Sequence, residues 1–287
     1  MRAPLIVAVA QPPCTPHDVA ANAWAHAAAI RAPGAAGARV VVFPELSLTG
    51  YELDADPVDP GDERLQPIVQ ACADTGATAL VGAPIADNSK KIEEGRAGNG
   101  EGAAGNGEGA PGNGKGRTAS GTGRTGPVFI AVLAVDGQGA TVAYRKMWLG
   151  DDEAKRFTPG PTPAKQTVDG WRLGLAVCKD TGVPEHAAAT AALGIDAYLA
   201  GTVKHLEEAG LQHERAQQIA TRHYTWVAIA SCAGPTGGGY DQTAGRSGIW
   251  APDGSLIAST GPDPGEVTRA RLPAGAPGSE STAAPAR

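Results

Sequence analysis

Val40-Val41-Val42-Phe43-Pro44-Glu45 is an unbroken run of β-branched and aromatic side chains that stops on a proline and a carboxylate. A run of that composition and length reads as a strand, and it delivers a reactive group at its end. Two other runs finish in the same manner. Val142-Ala143-Tyr144-Arg145-Lys146 stops at an ammonium, and Leu173-Gly174-Leu175-Ala176-Val177-Cys178 stops at a thiol. One such ending means little, because many strands finish on a polar residue. A carboxylate base, a cation and a soft nucleophile together are the components of covalent acyl chemistry.

Outward from these runs, strand and helix signals alternate. Leu5 to Ala10, Ala38 to Phe43 and Thr78 to Gly82 read as strands, separated by an Ala-rich helix from Val19 to Arg31 and a helix from Glu63 to Asp74 closed by Gly76. Val128 to Val135 and Thr141 to Lys146 form a hairpin around Asp136-Gly137-Gln138-Gly139. Trp171 to Val177 is a strand, and Pro184 to Leu193 a helix with proline in its first position. A short strand at Ala197 to Ala200 precedes a helix from Leu206 to His223. Strands at Trp226 to Ser231, Gly245 to Trp250, Ser255 to Ser259 and Glu266 to Leu272 follow. Helix–strand alternation early and hairpins late predict an α/β protein, a mixed sheet system with helices outside.

Residues 88–126 break the pattern. They are nearly all Gly, Asn, Glu, Ala, Lys, Arg, Ser and Thr. Such a stretch cannot bury enough apolar area to offset its ordering entropy, so a disordered surface insertion is expected within a domain spanning 1–272. Within it, Gly109 to Lys115 matches the start of a phosphate-binding loop. Gly116 stands where Ser or Thr should hold Mg²⁺, and no strand–helix frame surrounds it, so the match is compositional. A disordered tail is expected over 273–287.

The whole chain of 287 residues, 42% apolar, can bury one large core. A net charge of −6 without a basic stripe gives no case for nucleic acid, and no apolar run is long enough to span a membrane. Cys14, Cys72, Cys178 and Cys232 are widely spaced, which disfavours a zinc site or a disulfide framework and points to a cytoplasmic protein with reduced thiols. His205, His213 and His223 match no ligand pattern, so they read as helix-surface residues rather than a metal site. Of the four thiols, Cys178 alone sits where a strand meets a turn. Attack by its sulfur needs a base, which Glu45 can supply, and positive charge for the developing oxyanion, which Lys146 and the backbone N–H of Lys179 can supply. Taken singly, each is better explained as a strand-end surface charge or a buried ion pair. His186 also invites a Cys–His dyad.

Phe43-Pro44-Glu45-Leu46-Ser47-Leu48-Thr49-Gly50-Tyr51 resembles the glutamate motif of the nitrilase superfamily, the carbon–nitrogen hydrolases. Tyr144 to Leu149 is similar to its lysine motif, Glu153 to Gly160 to the segment of its second glutamate, and Gly174 to Asp180 with Pro184-Glu185 to its cysteine motif. The likeness runs from Leu5 to Leu272 apart from the insertion. It implies a four-layer αββα sandwich of the nitrilase type that pairs into a homodimer. It implies Cys178 as nucleophile, Glu45 as general base, Lys146 as oxyanion stabiliser and Glu153 as supporting carboxylate. The implied reaction is cleavage of a non-peptide C–N bond through a thioester, and the resemblance implies no metal or organic cofactor. A small linear amide is the expected substrate, with nitrile or N-carbamoyl hydrolysis as alternatives at the same site. A non-catalytic nitrilase-like binding protein is the alternative of another class.

The chain departs from the family pattern at Trp148, Lys179, Ala188 and Cys232, where histidine, an aromatic residue, arginine and asparagine are common. Lys179, Trp148 and Tyr51 are accordingly the expected substrate-binding residues. Two readings of Lys179 stay open. It lies beside the acyl pocket and favours an anionic substrate, or it is a solvated lysine paired with Asp180 or Glu185.

Overall fold

The computed structural model describes residues 2–87 and 126–274. The expected insertion and tail fall, but for Gly126, Pro273 and Ala274, outside the described residues.

Two six-stranded sheets form the centre of the molecule. The first contains β1 (Leu5–Gln11), β2 (Val40–Val42), β3 (Thr78–Ala86), β4 (Val128–Asp136), β5 (Gly139–Arg145) and β12 (Glu266–Leu272), in the order β12-β1-β2-β3-β4-β5. The second contains β6 (Ala164–Val168), β7 (Trp171–Val177), β8 (Ala197–Thr202), β9 (Trp226–Ser231), β10 (Gly248–Trp250) and β11 (Leu256–Ser259), in the order β11-β10-β9-β8-β7-β6. Each sheet has a parallel trio, β1-β2-β3 and β7-β8-β9, flanked by antiparallel strands. Parallel neighbours require crossovers, and helices supply them: α1 (Val19–Ala35) and α2 (Gln66–Thr75) in the first half, α3 (Pro184–Ala191) and α4 (Ala209–His223) in the second.

The period-2 geometry of a strand sorts the apolar run into layers. Val40 and Val42 face the core between the sheets, together with Val7, Leu80, Leu173 and Leu199. Val41 faces the opposite way, into the layer of Ala23, Ala27 and Ile30 from α1 and Ile68 and Ala71 from α2. On the second sheet Tyr198, Val227 and Trp250 meet Ala187 of α3 and Ala216 and Ile219 of α4. Both faces of each central strand are covered, which explains the absence of polar alternation in these runs. The result is the αββα sandwich.

Local chemistry accounts for the shifted boundaries. Pro67 lacks an N–H, and the expected helix at Glu63 divides into a 3-10 turn, Glu63–Leu65, followed by α2. The helix expected from Leu206 likewise opens with a 3-10 turn, Leu206–Glu208. Helix α1 continues past Arg31 and through Pro33. The strand expected from Gly245 starts at Gly248, because Gly245 and Arg246 have left-handed backbone (φ 55° and 52°). β6, unforeseen, is a short edge strand carrying Lys165 and Gln166. Among the described residues no helix is long and apolar enough to cross a membrane.

Candidate active site

The carboxyl ends of the parallel strands β2, β7 and β8 approach one another across the two sheets, and the end of β5 joins them. Open parallel sheets present ligand sites at such ends. Leaving β2, the chain is held by Phe43 N donating to Leu80 O (2.9 Å) and turns through Leu46, whose φ is 49°. Two glycines, one from each sheet, make room for this turn. A Cβ on Gly201 of β8 would lie 2.5 Å from Phe43 O, and one on Gly82 of β3 would lie 2.5 Å from Leu46 N. The turn buries Glu45 to 1% exposure.

Lys146 follows β5, pinned by its N–H to Ile130 O (2.8 Å) and by Gly160 N–H to its carbonyl (2.7 Å). Its Nζ donates to Glu45 Oε1 (2.6 Å) and to Glu153 Oε1 and Oε2 (2.7 and 2.8 Å), which occupies all three ammonium protons. Glu153, at the start of a 3-10 turn, also accepts from Tyr51 OH (2.6 Å) and Gly150 N (2.6 Å). One ammonium thus serves two buried carboxylates. Glu153 takes the larger share. Burial works against its charge, but Lys146 and the hydrogen bonds from Lys146, Tyr51 and Gly150 hold its pKa below the ordinary value. Glu45 is pushed up to about 7, by burial first and by the charge of Glu153, against the pull of Lys146. Burial also opposes the charge of Lys146, yet Glu45, Cys178 and Glu153 keep its pKa above that of a free lysine.

Cys178 opens the 3-10 turn Cys178–Gly182 directly after β7, with a left-handed φ of 40°. For a non-glycine residue such a backbone costs about 1–3 kcal/mol and is held in place by its surroundings. The side chain is 8% exposed, and Sγ donates to Val203 O at 3.3 Å. The Glu45 carboxyl lies close enough to this thiol for each to act on the other's charge, and its buried Oε2 has no hydrogen-bond partner. Burial, and then the charge of Glu45, push the thiol up to about 12, while Lys146 and Lys204 pull it down. Both shifts act in one direction: the sulfur rests as a protonated thiol, beside a carboxyl made more basic by its burial.

The structure brings Glu45, Lys146, Glu153, Cys178 and Tyr51 together. It places the other expected residues differently. Lys179 is exposed, and its Nζ donates to Leu149 O (2.7 Å) rather than entering the pocket or pairing with Asp180 or Glu185. The cause is the 3-10 turn, whose successive side chains diverge by about 120°. Trp148 is half-buried, its indole edge-on to His186 (5.6 Å). His186 itself is buried between Tyr144 OH and Tyr198 OH, each at 2.9 Å, so its ring is committed and no Cys–His dyad forms. Burial lowers its pKa.

Asp180 is the residue that ties the lysine segment to the cysteine turn. Oδ2 accepts from Val177 N (2.9 Å) and Tyr144 OH (2.8 Å), and Oδ1 accepts from Trp148 N (2.9 Å). Its place in the cysteine motif was the available signal. Tyr240, His205 and Lys204 carried none, since they come from a Gly-rich loop and from beyond β8. Tyr240 stacks on His205 (4.1 Å) and meets the Tyr51 ring edge-on (4.8 Å). His17, Glu52 and Asp54 bring ligand atoms within 4.8 Å of one another at the surface, but no residue of the cysteine site belongs to this group. All four cysteines are unpaired.

A buried cysteine, two carboxylates and a lysine where the two sheets of one αββα sandwich meet define a hydrolase with a nitrilase-type fold. The chain belongs to the carbon-nitrogen hydrolase family, whose sequence profile matches residues 6–100 and 119–276. It is 28% identical over 269 residues to a Pseudomonas protegens protein described as a hydrolase in the pqqF 5′ region, spanning 90% of this chain and 79% of that one. Among solved structures it is similar to the amidase of Nesterenkonia AN1 from the nitrilase superfamily, with a TM-score of 0.73, 21% identity and coverage of 96% and 92% of the two chains. Saccharomyces cerevisiae Nit3, a member of branch 10 of that superfamily, gives a TM-score of 0.73 at 18% identity, covering 95% of this chain and 91% of its own. At these identities the structural likeness speaks for the fold.

Proposed function

We propose that the chain is a cysteine-dependent amidase that hydrolyses a small linear amide to a carboxylic acid and ammonia or an amine. The observation that carries the reading is Lys146 Nζ bonded to both Glu45 and Glu153, with the second Glu45 oxygen buried, free of any hydrogen bond and so open to accept the Cys178 proton.

In the first half-reaction the Cys178 sulfur attacks the amide carbon while its proton passes to Glu45. Protonation of Glu45 weakens its hold on Lys146. One ammonium N–H, still on the charged lysine, is thereby freed to donate a hydrogen bond to the oxyanion as it forms, and the backbone N–H of Lys179 is the second donor. The tetrahedral adduct collapses, the C–N bond breaks, and the leaving nitrogen takes the proton from Glu45. In the second half-reaction Glu45 removes a proton from water, the hydroxide adds to the thioester, and the C–S bond breaks. The thiol is reprotonated from Glu45 and the acid leaves. A small-molecule substrate, a cytoplasmic setting and a homodimer belong to the same proposal. No step calls on a metal, a nucleic acid or a membrane.

An acrylamide adduct on the active-site cysteine is described for a variant of the Nesterenkonia amidase. The same probe serves here. Intact-mass analysis should find one acrylamide adduct on the native chain and none on Cys178→Ala, with ammonia released from a panel of linear amides by the native chain alone. An adduct that persists in Cys178→Ala, or a panel of amides, nitriles and N-carbamoyl compounds that yields no ammonia, overturns the reading.

A further inference from the structure

Of the two lysines whose charges reach the Cys178 thiol, Lys146 is saturated by carboxylates and Lys204 is not. Lys204 follows Val203, whose carbonyl holds the Cys178 sulfur at 3.3 Å, and so lies at the carboxyl end of β8 beside the nucleophile. Its side chain is 11% exposed, and the contact made by Nζ is to Glu208 Oε1 at 3.3 Å. That is long for a charge-assisted bond, which ordinarily measures about 2.7–2.9 Å. Glu208 is itself divided, since its Oε2 caps His205 N (3.0 Å). Two of the three ammonium donors have no hydrogen-bond partner among the described residues. The backbone is fixed by Ala244 N–H to Lys204 O (2.9 Å), so the lysine stands on a rigid support.

The neighbouring side chains continue this position toward the catalytic carboxylates. His205 stacks on Tyr240, Tyr240 meets Tyr51 edge-on, and Tyr51 OH reaches Glu153. A wall of three rings thus runs from the catalytic carboxylates to Lys204. An amide with its carbonyl at Cys178 would lie along this wall, with its far end within the field of an under-coordinated ammonium.

Resting on the amidase reading, we propose that Lys204 is a specificity-determining residue and that the substrate is an amide carrying a carboxylate at the end remote from the scissile bond. The arriving carboxylate would share the ammonium with Glu208, as Glu45 and Glu153 share Lys146. The anion-binding role that the sequence suggested for Lys179 passes to Lys204.

The test compares succinamate with butyramide, two amides of similar length of which the first alone ends in a carboxylate, on the full chain and on Lys204→Met and Lys204→Arg. The native chain is expected to favour succinamate in kcat/KM. Loss of a charge that acts on the thiol lowers both values, so the readout is their ratio: in Lys204→Met the succinamate value should fall about tenfold or more beyond the fall in the butyramide value, with the extra loss chiefly in KM. Lys204→Arg should recover part of the loss. An equal fall on both amides, or a native chain indifferent to the carboxylate, overturns the proposal and leaves the amidase reading standing. A native chain that cleaves neither these nor any other amide overturns both. Inhibition of the native chain supplies the measurement that needs no variant: succinate is expected to compete more strongly than butyrate, and equal inhibition counts against Lys204.

Discussion

Replacing Glu153 with glutamine should move the acidic limb of the pH–rate profile, in a direction and by an amount set by the shared ammonium. Lys146 Nζ lies 2.6 Å from Glu45 Oε1 and 2.7 Å from Glu153 Oε1, so these oxygens are at most about 5 Å apart. Two like charges at about 5 Å repel by roughly 3 kcal/mol at an effective dielectric near 20. At 1.36 kcal/mol per pH unit this corresponds to about 2 units. Glu45 is the base and must be ionised to accept the thiol proton, so kcat/KM rises with pH through its free-enzyme pKa. In the native chain the rise should centre near 7, where burial and Glu153 hold that carboxyl. Glutamine removes the repelling charge and leaves Lys146 to Glu45 alone, so the midpoint should fall toward about 5. The amplitude will fall too, because the glutamine NH₂ must face one of the donors that Glu153 now accepts from, namely Lys146, Tyr51 OH and Gly150 N. The readout is therefore the position of the limb, followed by ammonia release at low substrate concentration, with a melting curve to establish folding at each pH. A limb that stays near 7 or moves upward would refute the assignment of Glu45 as the titrating base coupled to Glu153.

Three further outcomes follow from particular contacts. Gly201→Ala places a methyl group against Phe43 O and Glu45 N, so denaturant unfolding should show a loss of about 1–3 kcal/mol together with a lower kcat; unchanged stability would contradict the close approach. Asp180→Asn turns an NH₂ toward Val177 N and Tyr144 OH or toward Trp148 N, and should cost about 2–3 kcal/mol in the same assay, with slower alkylation of Cys178 as its turn loosens. Tyr51→Phe removes one donor from Glu153 and should reduce kcat several-fold, about 1–1.5 kcal/mol, with little change in melting temperature; a full loss of folding would make Tyr51 a structural residue instead.

What could be read in advance was what local chemistry decides. Val40 to Val42 and Leu173 to Val177 showed as strands because both of their faces are covered, which leaves no position for a polar residue until the strand ends. The charged residue at each end stood out for the same reason, since a carboxylate or ammonium next to such a run must find a partner or reach solvent. Contacts that depend on two distant segments left no trace. Gly82 and Gly201 look like ordinary strand glycines until the Glu45 turn is seen between them. Tyr240 lies beyond β9, in a loop with no periodicity, and joins the site only through its contacts with His205 and Tyr51.

The two lysines make the point most directly. Lys179 adjoins the nucleophile in the chain, and proximity in sequence made it a candidate anion binder, beside the equal reading of a solvated lysine. A left-handed cysteine leading into a 3-10 turn rotates the next side chain away, and the ammonium ends on Leu149 O. Lys204 is 26 residues from Cys178 in sequence. Parallel pairing of β7 with β8 sets Val177 opposite Gly201, so the segment leaving β8 emerges beside the one leaving β7. Sheet register, which couples residues far apart in the chain, therefore decides which lysine's charge reaches the thiol. The comparison of succinamate with butyramide then tests that register as much as it tests Lys204.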